Sequence, residues 1–488
     1  MRGTIELDRF GDPEYVSELY QSGTFDTIYN ICQSITQSMR SHAGIDFENC
    51  FHKILKEEGL QKDIHYSAQV YITKEMTFSF QKYPECHSID FVIPSPLEGM
   101  NVKDFQGEII SFKTTLRERW LQDRYIPHLT IISLESKQCE DVHCICVKPD
   151  GNELEHWLNK IKQMYFQKKT MKVLDLFCGS GGLTQGLKDA GLNIVLGIDI
   201  WDTAIESYQK NFEHPSYCID LATFSPKECQ EKFGLQDLDI IVGGPPCQGF
   251  SMAGKRDQKD PRNSLFMEFV KYLEFFQPKM FLFENVMGIL SMKTQDNQKS
   301  IDIIMEHLSI HYHCILTKLY ASDFEVPQNR RRVIIIGIHK RYNRVPTQPL
   351  NFIPHKKDRL PVSSILENKN SIDPSYFLSE KARMGILNKK ERMQKEGKGF
   401  GAQFIQLDKP CFTIPARYWK DGYDALVKYS DTEIRRLTIQ ELKRIQTFPD
   451  SFIFCGSNKE QIIQIGNAIP CRFAYHLGNH LIKLSFHL

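Results

Sequence analysis

The 488-residue sequence lacks the features of membrane-spanning and exported proteins. No apolar run approaches the roughly 18 residues needed to cross a bilayer. Residues 1–15 carry acidic side chains and no apolar segment, so we predict no secretory signal peptide. The 14 cysteines are scattered, unlike the spacing of a disulfide framework. These absences predict a cytoplasmic protein with reduced thiols and no membrane partner.

The sequence also lacks an overall charge imbalance, since its net charge is only +1. This value conceals a local excess. Residues 339–430 contain 18 Lys and Arg against 9 Asp and Glu, which leaves about −8 for the rest of the chain. A basic segment of this kind indicates either a phosphate-contacting surface or a solvated, lysine-rich loop region.

The order of apolar patterns predicts several domains. Helical spacing of apolar residues over 151–167 predicts one amphipathic helix, followed by a domain boundary at about 168–171. From 171 to 338, short apolar runs alternate with helical stretches, which predicts a mostly parallel sheet with helices on both faces. The runs are "KVLDLF", "IVLGIDI", "LDIIVGG", "MFLFENV" and "RRVIIIGI". Residues 339–430 lose this rhythm, and helical text resumes at "RRLTIQELKRIQTF".

A glycine-rich turn follows the first of these strands, in "VLDLFCGSGGLTQGL". Gly179, Gly181 and Gly182 would let the backbone turn tightly beneath a bound cofactor. Asp199 ends the next strand, 24 residues after Asp175, where a carboxylate could hold ribose hydroxyls. Taken alone, the pattern also fits an ordinary tight turn.

One cysteine has an unusually rigid approach, in "LDIIVGGPPCQGF". Pro245 and Pro246 stiffen the exit from the strand because each fixes its φ angle. Cys247 is therefore expected at the carboxyl edge of a parallel sheet, where open α/β folds bind ligands, and Gly249 would admit a flat substrate. The alternative is a buried, inert cysteine.

Two further patterns predict side chains that line a site. Glu284 and Asn285 end the strand "FLFENV", where the carboxyl could face the thiol or the pair could cap a helix. In "VPQNRRRVIIIG", Gln328, Arg330 and Arg332 recur at period two and would share one face of a strand. The alternative for the arginines is solvated charge.

Together these motifs resemble those of the DNA (cytosine-5) methyltransferases. The shared elements, in family order, are "GGPPCQGFS", "FLFENV", "QNRRR", "RRLTIQELKRIQTFPDSF" and "QIGNAIP". The resemblance implies an S-adenosylmethionine-dependent, Rossmann-like catalytic domain in two parts, 171–338 and 431–488. It also implies an inserted target-recognition domain at 339–430, whose edge includes "KPCFTIPARYWKDG".

The resemblance implies a role for each motif in catalysis. Cys247 would add to carbon 6 of cytosine, which makes carbon 5 nucleophilic. Glu284 would hold N3 as a protonated donor, and Arg330 and Arg332 would hold O2. The base that removes the carbon 5 proton is not identified by the sequence. Because a cytosine inside a duplex cannot reach the thiol, the base must be extruded, with 339–430 gripping double-stranded DNA.

The resemblance also implies a set of contacts to S-adenosylmethionine. Asp199 would bind the ribose, Ile200 would pack on the adenine, and Asp220 would accept from the adenine amino group. The full set of implied cofactor-binding residues is Phe177, Gly179, Asp199, Ile200, Asp220, Pro246, Asn467 and Ala468. Cys471 follows Pro470 where most relatives have a second proline, a small departure.

Residues 1–167 are similar to type II restriction endonucleases of the PD-(D/E)xK group. The similarity lies in "HSIDFVIPSP", "GEIISFKTTLRERW" and "GIDFENCFHKIL". It implies an α/β nuclease in which Asp90 binds Mg²⁺, with Lys113 in the next strand and Glu48 upstream. Ser111 stands where an acid is usual.

A further glutamate usual in this group is replaced by Ile126, and Asp123, three residues earlier, is the candidate substitute. Cleavage of both strands of a palindrome implies a homodimer. The cluster "CEDVHCIC" at 139–146 lacks a second pair of ligands, so we interpret it as half-buried cysteines, not zinc ligands.

The combined interpretation is a fused restriction-modification protein, in which methylation of a site protects it from the attached nuclease. Three alternatives remain open. The N-terminal domain could bind DNA without cutting it, the methyltransferase could act on RNA, or the protein could be a DNA-binding protein without catalysis.

Overall fold

The computed structural model divides into two compact units. One contains residues 1–169, 344–351 and 482–488, and the other contains residues 170–343 and 352–481. The described residues are 52, 55–56, 62, 66–73, 76–82, 87–105, 108–113, 129–133, 143–146, 170–246, 265–293, 297–342, 359–397, 402–420, 422–486 and 488. The helix predicted over 151–167 lies outside them.

A six-stranded mixed sheet forms the described part of the first unit, in the order β2-β1-β3-β4-β5-β6. The first four strands in that order pair antiparallel, and β4, β5 and β6 pair parallel. A small apolar core that includes Val70, Phe78, Ile89 and Phe105 packs against it. The strands are β1 Ser67–Ile72, β2 Phe78–Ser79, β3 His87–Ile93, β4 Glu108–Lys113, β5 Leu129–Ser133 and β6 His143–Cys146.

A seven-stranded sheet is the centre of the second unit, in the order β12-β13-β11-β10-β7-β8-β9. The pairs from β11 through β9 are parallel, as predicted, whereas β13 runs antiparallel to both of its neighbours. Only a short 3-10 turn, Ala321–Asp323, and a few further residues join β12 to β13, so the chain has no room for a crossover. The strands are β7 Lys172–Leu176, β8 Asn193–Asp199, β9 Ser216–Cys218, β10 Ile240–Gly243, β11 Met280–Val286, β12 Tyr312–Tyr320 and β13 Arg331–His339.

Both faces of this sheet are covered, which explains the nearly continuous apolar runs in the sequence. One face joins a core with the helices between 226 and 308, and the alternate residues of the same strands are buried as well. Examples from the first face are Leu174, Leu176, Ile241, Phe281 and Phe283, and examples from the second are Val173, Ile240, Val242 and Leu282.

Nine α-helices accompany the sheets in the described residues, with a two-stranded ribbon of β14 Leu426–Lys428 and β15 Ile434–Arg436. Among the described helices, none combines the length and apolar composition that crossing a bilayer requires. The helices are α1 Gly182–Asp189, α2 Asp202–Asn211, α3 Pro226–Phe233, α4 Leu265–Phe276, α5 Ser300–Leu308, α6 Glu380–Lys395, α7 Ile439–Ile445, α8 Asn458–Asn467 and α9 Cys471–Ser485.

The helical text predicted from "RRLTIQELKRIQTF" begins later than expected. Arg435 and Arg436 belong to strand β15, and helix α7 starts only after Thr438, whose side chain accepts from the backbone N–H of Glu441. Glu441 returns a bond to the N–H of Thr438, which completes a capping box. The T-x-x-E spacing could have located this start.

Glu441 also forms a fully buried ion pair with Arg435. The Arg435 guanidinium donates to both carboxylate oxygens at 2.7 and 2.8 Å, and neither side chain is exposed. The backbone N–H of Glu367 donates to the same carboxylate at 3.0 Å. One carboxylate therefore joins the ribbon, helix α7 and the segment around Glu367.

We expect Glu441→Gln to lower the free energy of unfolding by about 3–5 kcal/mol, because it leaves a buried guanidinium uncompensated. Urea unfolding of the purified chain would measure this loss. Glu391→Gln is the control, since Glu391 pairs with Lys395 on the exposed face of α6. Equal midpoints for the two variants would contradict a stabilising role for the buried carboxylate.

Candidate active site

Three strand ends meet at one edge of the seven-stranded sheet. Strand β10 ends there at Gly243, opposite Phe283 of the parallel strand β11. Glu284 follows in β11, and Arg332 lies at the beginning of the antiparallel strand β13, opposite Val286. Because β13 starts where β10 and β11 end, the predicted acid and arginine reach the same edge.

Glu284 and Arg332 form a mostly buried ion pair at this edge. The Nε of Arg332 lies 2.5 Å from Oε1 of Glu284, and the side chains are 10% and 12% exposed. The other carboxylate oxygen faces Gly244, where an added Cβ would lie 2.9 Å from Oε2. A glycine at 244 therefore allows the carboxylate to approach the backbone that leads to Cys247.

Asn285 anchors the rigid segment after β10. Its side-chain amide donates to the carbonyl of Pro245 at 3.0 Å. The following 3-10 turn, Met287–Leu290, has Val286 at its N-cap and no side-chain cap hydrogen bond, so the capping interpretation of this pair is wrong. Pro245 is buried and Pro246 is exposed. Cys247 itself lies outside the described residues.

The predicted period-two row before and within β13 is present. Gln328, Arg330 and Arg332 are buried, whereas Asn329 is partly exposed and Arg331 is exposed. Solvated charge is therefore the wrong interpretation for Arg330 and Arg332. Three arginines in succession divide between two faces of the chain.

Arg330 makes backbone contacts with distant segments. Its guanidinium donates to the carbonyls of Ile414 at 3.3 Å, Gly466 at 2.9 Å and Asn467 at 3.4 Å. Burial, and then the neighbouring charge of Arg332, hold the pKa of Arg330 well below its usual value. These bonds occupy much of the guanidinium, and its predicted contact with cytosine O2 stays a prediction.

Gln328 extends the same connection. Its amide donates to Oε1 of Gln446 at 3.0 Å, and its oxygen accepts from the backbone N–H of Ile414 at 3.1 Å. Gln446 in turn donates to the carbonyl of Ile465 at 2.7 Å. Sequence reasoning placed Gln328 on the right face but did not identify these partners, since they are more than 80 residues away.

The glycine-rich turn after β7 adopts left-handed conformations. Phe177, Gly179 and Gly181 have φ angles of 60°, 54° and 96°. Among the described residues, and apart from the two chain neighbours of Gly179, no atom lies within 4 Å of the position that a Cβ there would take, so the turn faces open space. At Gly181 a Cβ would instead meet the ring of Phe212 at 2.3 Å. The first glycine leaves room for a ligand, and the second allows close packing.

Asp199 and Ile200 lie beside this turn. Asp199 accepts from the backbone N–H groups of Gly179 at 2.8 Å and Trp201 at 2.9 Å. Ile200 is an apolar side chain that is nevertheless 64% exposed. Asp220 is partly exposed and accepts from the N–H of Ala222 at 2.9 Å.

The far end of the chain closes against the same turn. A Cβ on Gly182 would lie 2.4 Å from the carbonyl oxygen of Ile469 and 3.1 Å from the Cβ of Ala468. Asn467 is exposed and Ala468 is half-buried. The predicted cofactor-binding residues of both ends therefore lie close together in space.

A buried hydrogen-bond chain beneath the turn was not predicted from the sequence. Thr184 donates to Asp175 at 2.6 Å and shares a 2.7 Å hydrogen bond with Tyr208, which contacts His214 at 2.7 Å. The other carboxylate oxygen of Asp175 is buried and has no hydrogen-bond partner among the described residues. Only the strand-end position of Asp175 could have suggested its importance.

A sequence model of the C-5 cytosine-specific DNA methylases matches residues 171–483. The chain belongs to this family. The match covers the seven-stranded sheet, its edge and the closing C-terminal helices.

Curated relatives of the methylase region are type II methyltransferases. M.DdeI of Desulfomicrobium norvegicum is 33% identical over 378 residues, which cover 64% of this chain and 88% of that protein. M1.ScrFI of Lactococcus lactis subsp. cremoris is 34% identical over 325 residues, covering 64% of this chain and 78% of that protein.

Solved structures share the methylase fold. The Dnmt2 methyltransferase of S. pombe aligns with a TM-score of 0.53 and 22% identity, over 64% of this chain and 99% of that one. The Entamoeba histolytica methyltransferase EhMeth aligns with a TM-score of 0.51 and 21% identity, over 65% and 99%.

The methylase family implies S-adenosylmethionine as the cofactor, and the glycine-rich turn fits such a group. Gly179 faces open space, the exposed Ile200 offers an apolar surface for a flat ring, and Asp199 is adjacent to both. Within the described residues no three His, Cys, Asp or Glu side chains cluster as metal ligands.

The predicted nuclease residues are described only in part. Asp90 is half-exposed in β3, and Lys113 ends the neighbouring antiparallel strand β4. The pairing places Phe91 opposite Ile110, so the next residues along each strand are Asp90 and Ser111. Glu48 and Asp123 lie outside the described residues.

The buried Asp175 gives a pH-dependent prediction. Burial raises its pKa from 3.8 to about 7, although the Thr184 hydrogen bond acts in the opposite direction. The native state then keeps a proton that the unfolded chain has lost, so this carboxyl lowers the free energy of unfolding as pH rises from about 4 to about 7. Asp175→Asn removes that loss, because asparagine is neutral at every pH.

Melting temperatures at pH 5 and pH 8 would test this expectation. Relative to the wild type, Asp175→Asn should be more stable at pH 8 than at pH 5. Glu206→Gln, on the exposed face of α2, is the control and should show the same offset at both values. An equal offset for Asp175→Asn would contradict the raised pKa.

Proposed function

We propose that this protein transfers a methyl group from S-adenosylmethionine to carbon 5 of a cytosine in a specific site of double-stranded DNA, through a covalent bond to Cys247. The observation that carries the proposal is the Glu284–Arg332 pair at the sheet edge. Its carboxylate packs against Gly244, three residues before Cys247. An acid, an arginine and a thiol at one edge suit activation of a pyrimidine.

Cys247 acts as the nucleophile in this proposal. Its thiolate forms a bond to carbon 6 of cytosine, and the electron pair of the 5,6 double bond becomes available at carbon 5. The bound cofactor supplies an electrophilic methyl group to carbon 5. Removal of the carbon 5 proton then restores the double bond and expels the thiolate, which frees the enzyme.

Glu284 and Arg332 stabilise the activated base. Negative charge develops toward N3 and O2 as the thiolate adds, so a proton shared between the Glu284 carboxyl and N3, and a guanidinium at O2, lower the barrier. The carboxylate of the resting ion pair takes up this proton from solvent when the base binds. The ion pair fixes the direction of both groups before the base arrives, because each side chain is about nine-tenths buried. Arg330 shares the contact with O2 only if it retains a free N–H, and its Nε has no partner among the described residues.

The cofactor lies along the turn after β7. Phe177 and Gly179 contact it, Asp199 binds the ribose and Ile200 packs on the adenine. The other proposed contacts are Asp220 to the adenine amino group, Pro246, Asn467 and Ala468. The openness at Gly179 and the exposed face of Ile200 support this assignment.

The target-recognition role falls to residues 339–430. Their excess of basic residues suits phosphate contacts, and the remainder of the chain is acidic overall. Extrusion of the cytosine costs a few kcal/mol, so a second surface must hold the duplex while the base is displaced.

We expect Cys247→Ala to abolish both methyl transfer and covalent capture of DNA containing 5-fluorocytosine, because no thiolate remains to add to carbon 6. Bisulfite sequencing of host DNA and denaturing gels would measure these outcomes. Cys314→Ala is the control, since Cys314 lies in β12 away from the edge. Methylation that persists without Cys247 would refute the proposal.

The substrate class is tested in the same assay. Duplex DNA and tRNA are offered in parallel, since the RNA alternative requires transfer to tRNA. A wild-type protein that captures neither substrate, although folded, would favour a DNA-binding protein without catalysis.

For the N-terminal unit we propose Mg²⁺-dependent cleavage of the same site when it is unmethylated. Support comes from Asp90 and Lys113 on adjacent antiparallel strands of a mixed sheet. An acid holds the metal and a lysine neutralises charge on the scissile phosphate. Glu48 and Asp123 would complete the site, and two copies of the chain would cut both strands.

Asp90→Asn should abolish Mg²⁺-dependent linearisation of plasmid from a host without methylation, because it removes the metal ligand. Lys103→Ala, an exposed lysine of the same unit, is the control.

If the wild type binds the plasmid without cutting it in Mg²⁺, the unit only binds DNA. If Asp123→Ala still cuts, Asp123 is not the missing acid. Within the fusion, Cys247→Ala should be toxic only if cleavage is active.

A further inference from the structure

A second cleft lies beside the candidate catalytic edge, within the same unit. Its volume is about 490 Å³, inside the range of about 300–1,000 Å³ typical of small-ligand sites. Its walls come from the ends of β12 and β13 and from the segments around Phe412 and Asp424. The side chains that matter below are Tyr320, Asn329, Arg331, Gln403, Phe412 and Thr413.

Arg331 enters this cleft because strand residues alternate between faces. Its neighbours Arg330 and Arg332 are buried toward the catalytic side, and Arg331 is exposed on the other side of the strand. Its guanidinium stacks 5.0 Å from the ring centre of Tyr320, the residue opposite it in β12. A stacked guanidinium keeps its N–H edge available for a planar or tetrahedral anion.

The other charges around the cleft are already compensated. Arg359 pairs with Asp323 at 2.8 Å, and Asp424 pairs with Arg417 at 3.0 Å. No carboxylate of the described residues pairs with Arg331. Among the described residues that line the cleft, Arg331 is therefore the one cation without a paired carboxylate, which suits one phosphate group.

Two aromatic rings line the cleft with unusual exposure. Tyr320 is 37% exposed and Phe412 is 39% exposed. Exposed rings beside a cation are the arrangement on which unstacked bases lie in single-strand-binding sites. Asn329, Gln403 and Thr413 add amide and hydroxyl groups that can bond to the edge of a base.

We propose that this cleft binds one nucleotide of the substrate strand outside the catalytic pocket, with its phosphate on Arg331 and its base on Phe412. The inference rests on the proposed function in requiring a nucleic-acid substrate. It assigns to the middle arginine of "QNRRR" a role in holding the strand, separate from the chemistry at Glu284 and Arg332.

The test compares Arg331→Gln with Lys232→Gln in the full chain. Lys232 is an exposed cation of helix α3 that lies 5.4 Å from the ring centre of Phe233, and it is outside the basic segment 339–430. Fluorescence anisotropy gives the affinity at several salt concentrations for a duplex that contains the target site with ordinary cytosine in place of 5-fluorocytosine. Removing one phosphate contact should reduce the slope of log affinity against log salt by about 0.9 for Arg331→Gln. The slope for Lys232→Gln should equal that of the wild type.

Phe412→Leu tests the base. It keeps apolar bulk and removes the aromatic face, so we expect about tenfold weaker binding with an unchanged salt slope. The inference is overturned if either Arg331→Gln or Phe412→Leu behaves like Lys232→Gln, provided that melting temperatures show all three variants folded. Competition by free deoxynucleoside monophosphate, lost in Arg331→Gln, would assign the cleft to free nucleotides instead of the strand.

Failure of this inference is distinguishable from failure of the proposed function. If the wild type captures 5-fluorocytosine DNA and Arg331→Gln binds DNA like the wild type, the cleft proposal is refuted and the methyltransferase proposal stands. If Arg331→Gln alters the salt slope but the wild type does not capture 5-fluorocytosine DNA, the result supports the cleft and refutes the proposed chemistry.

Discussion

The buried guanidinium of Arg330 is the constraint on which the candidate site depends. It bonds to carbonyls 84, 136 and 137 residues further along the chain, so the start of β13 is tied to both later segments. A charge at 2% exposure is costly unless such acceptors surround it. Because Arg332 is only two residues away, and Asn467 is one of the acceptors, a single side chain ties together the candidate catalytic edge and the closing end of the proposed cofactor region.

Sequence reasoning predicted the parts of the fold that are buried on both faces. The five apolar runs correspond to β7, β8, β10, β11 and β13, since such strands are mostly apolar and show no helical spacing. Strands β9 and β12 were missed for the opposite reason. Two of the three residues of β9 are exposed, and β12 lies at the sheet edge with mixed burial.

The start of helix α7 was placed too early because Arg435 and Arg436 have good helical propensity, and their pairing with β14 is not visible locally.

Within the site, local motifs predicted positions better than partners. Glu284 could be assigned to the carboxyl edge because it ends a predicted parallel strand, whereas Arg332 begins its strand and would lie at the opposite edge of a parallel sheet. Their contact depends on β13 running antiparallel, which brings its first residues to that edge. The hydrogen bonds that link Asp175, Thr184 and Tyr208 could not be predicted from the sequence, since these residues belong to a strand and two different helices. One carboxylate oxygen of Asp175 is buried and has no hydrogen-bond partner in the part of the chain that the structure describes, a cost in free energy that stability alone does not explain.

The three consecutive arginines do not form one charged surface, because neighbouring residues of a strand face opposite sides. A basic run on a helix or in a loop presents one mixed surface, whereas a strand sends neighbours in opposite directions. Arg330 and Arg332 are consequently buried, one by backbone carbonyls and the other by a carboxylate, while Arg331 faces solvent against an aromatic ring. Substituting Arg331 removes a cation that no carboxylate of the described residues compensates, whereas substituting either neighbour breaks a buried contact. Within three positions, the same residue type therefore bonds to distant backbone carbonyls, pairs with the candidate catalytic acid and faces the solvent.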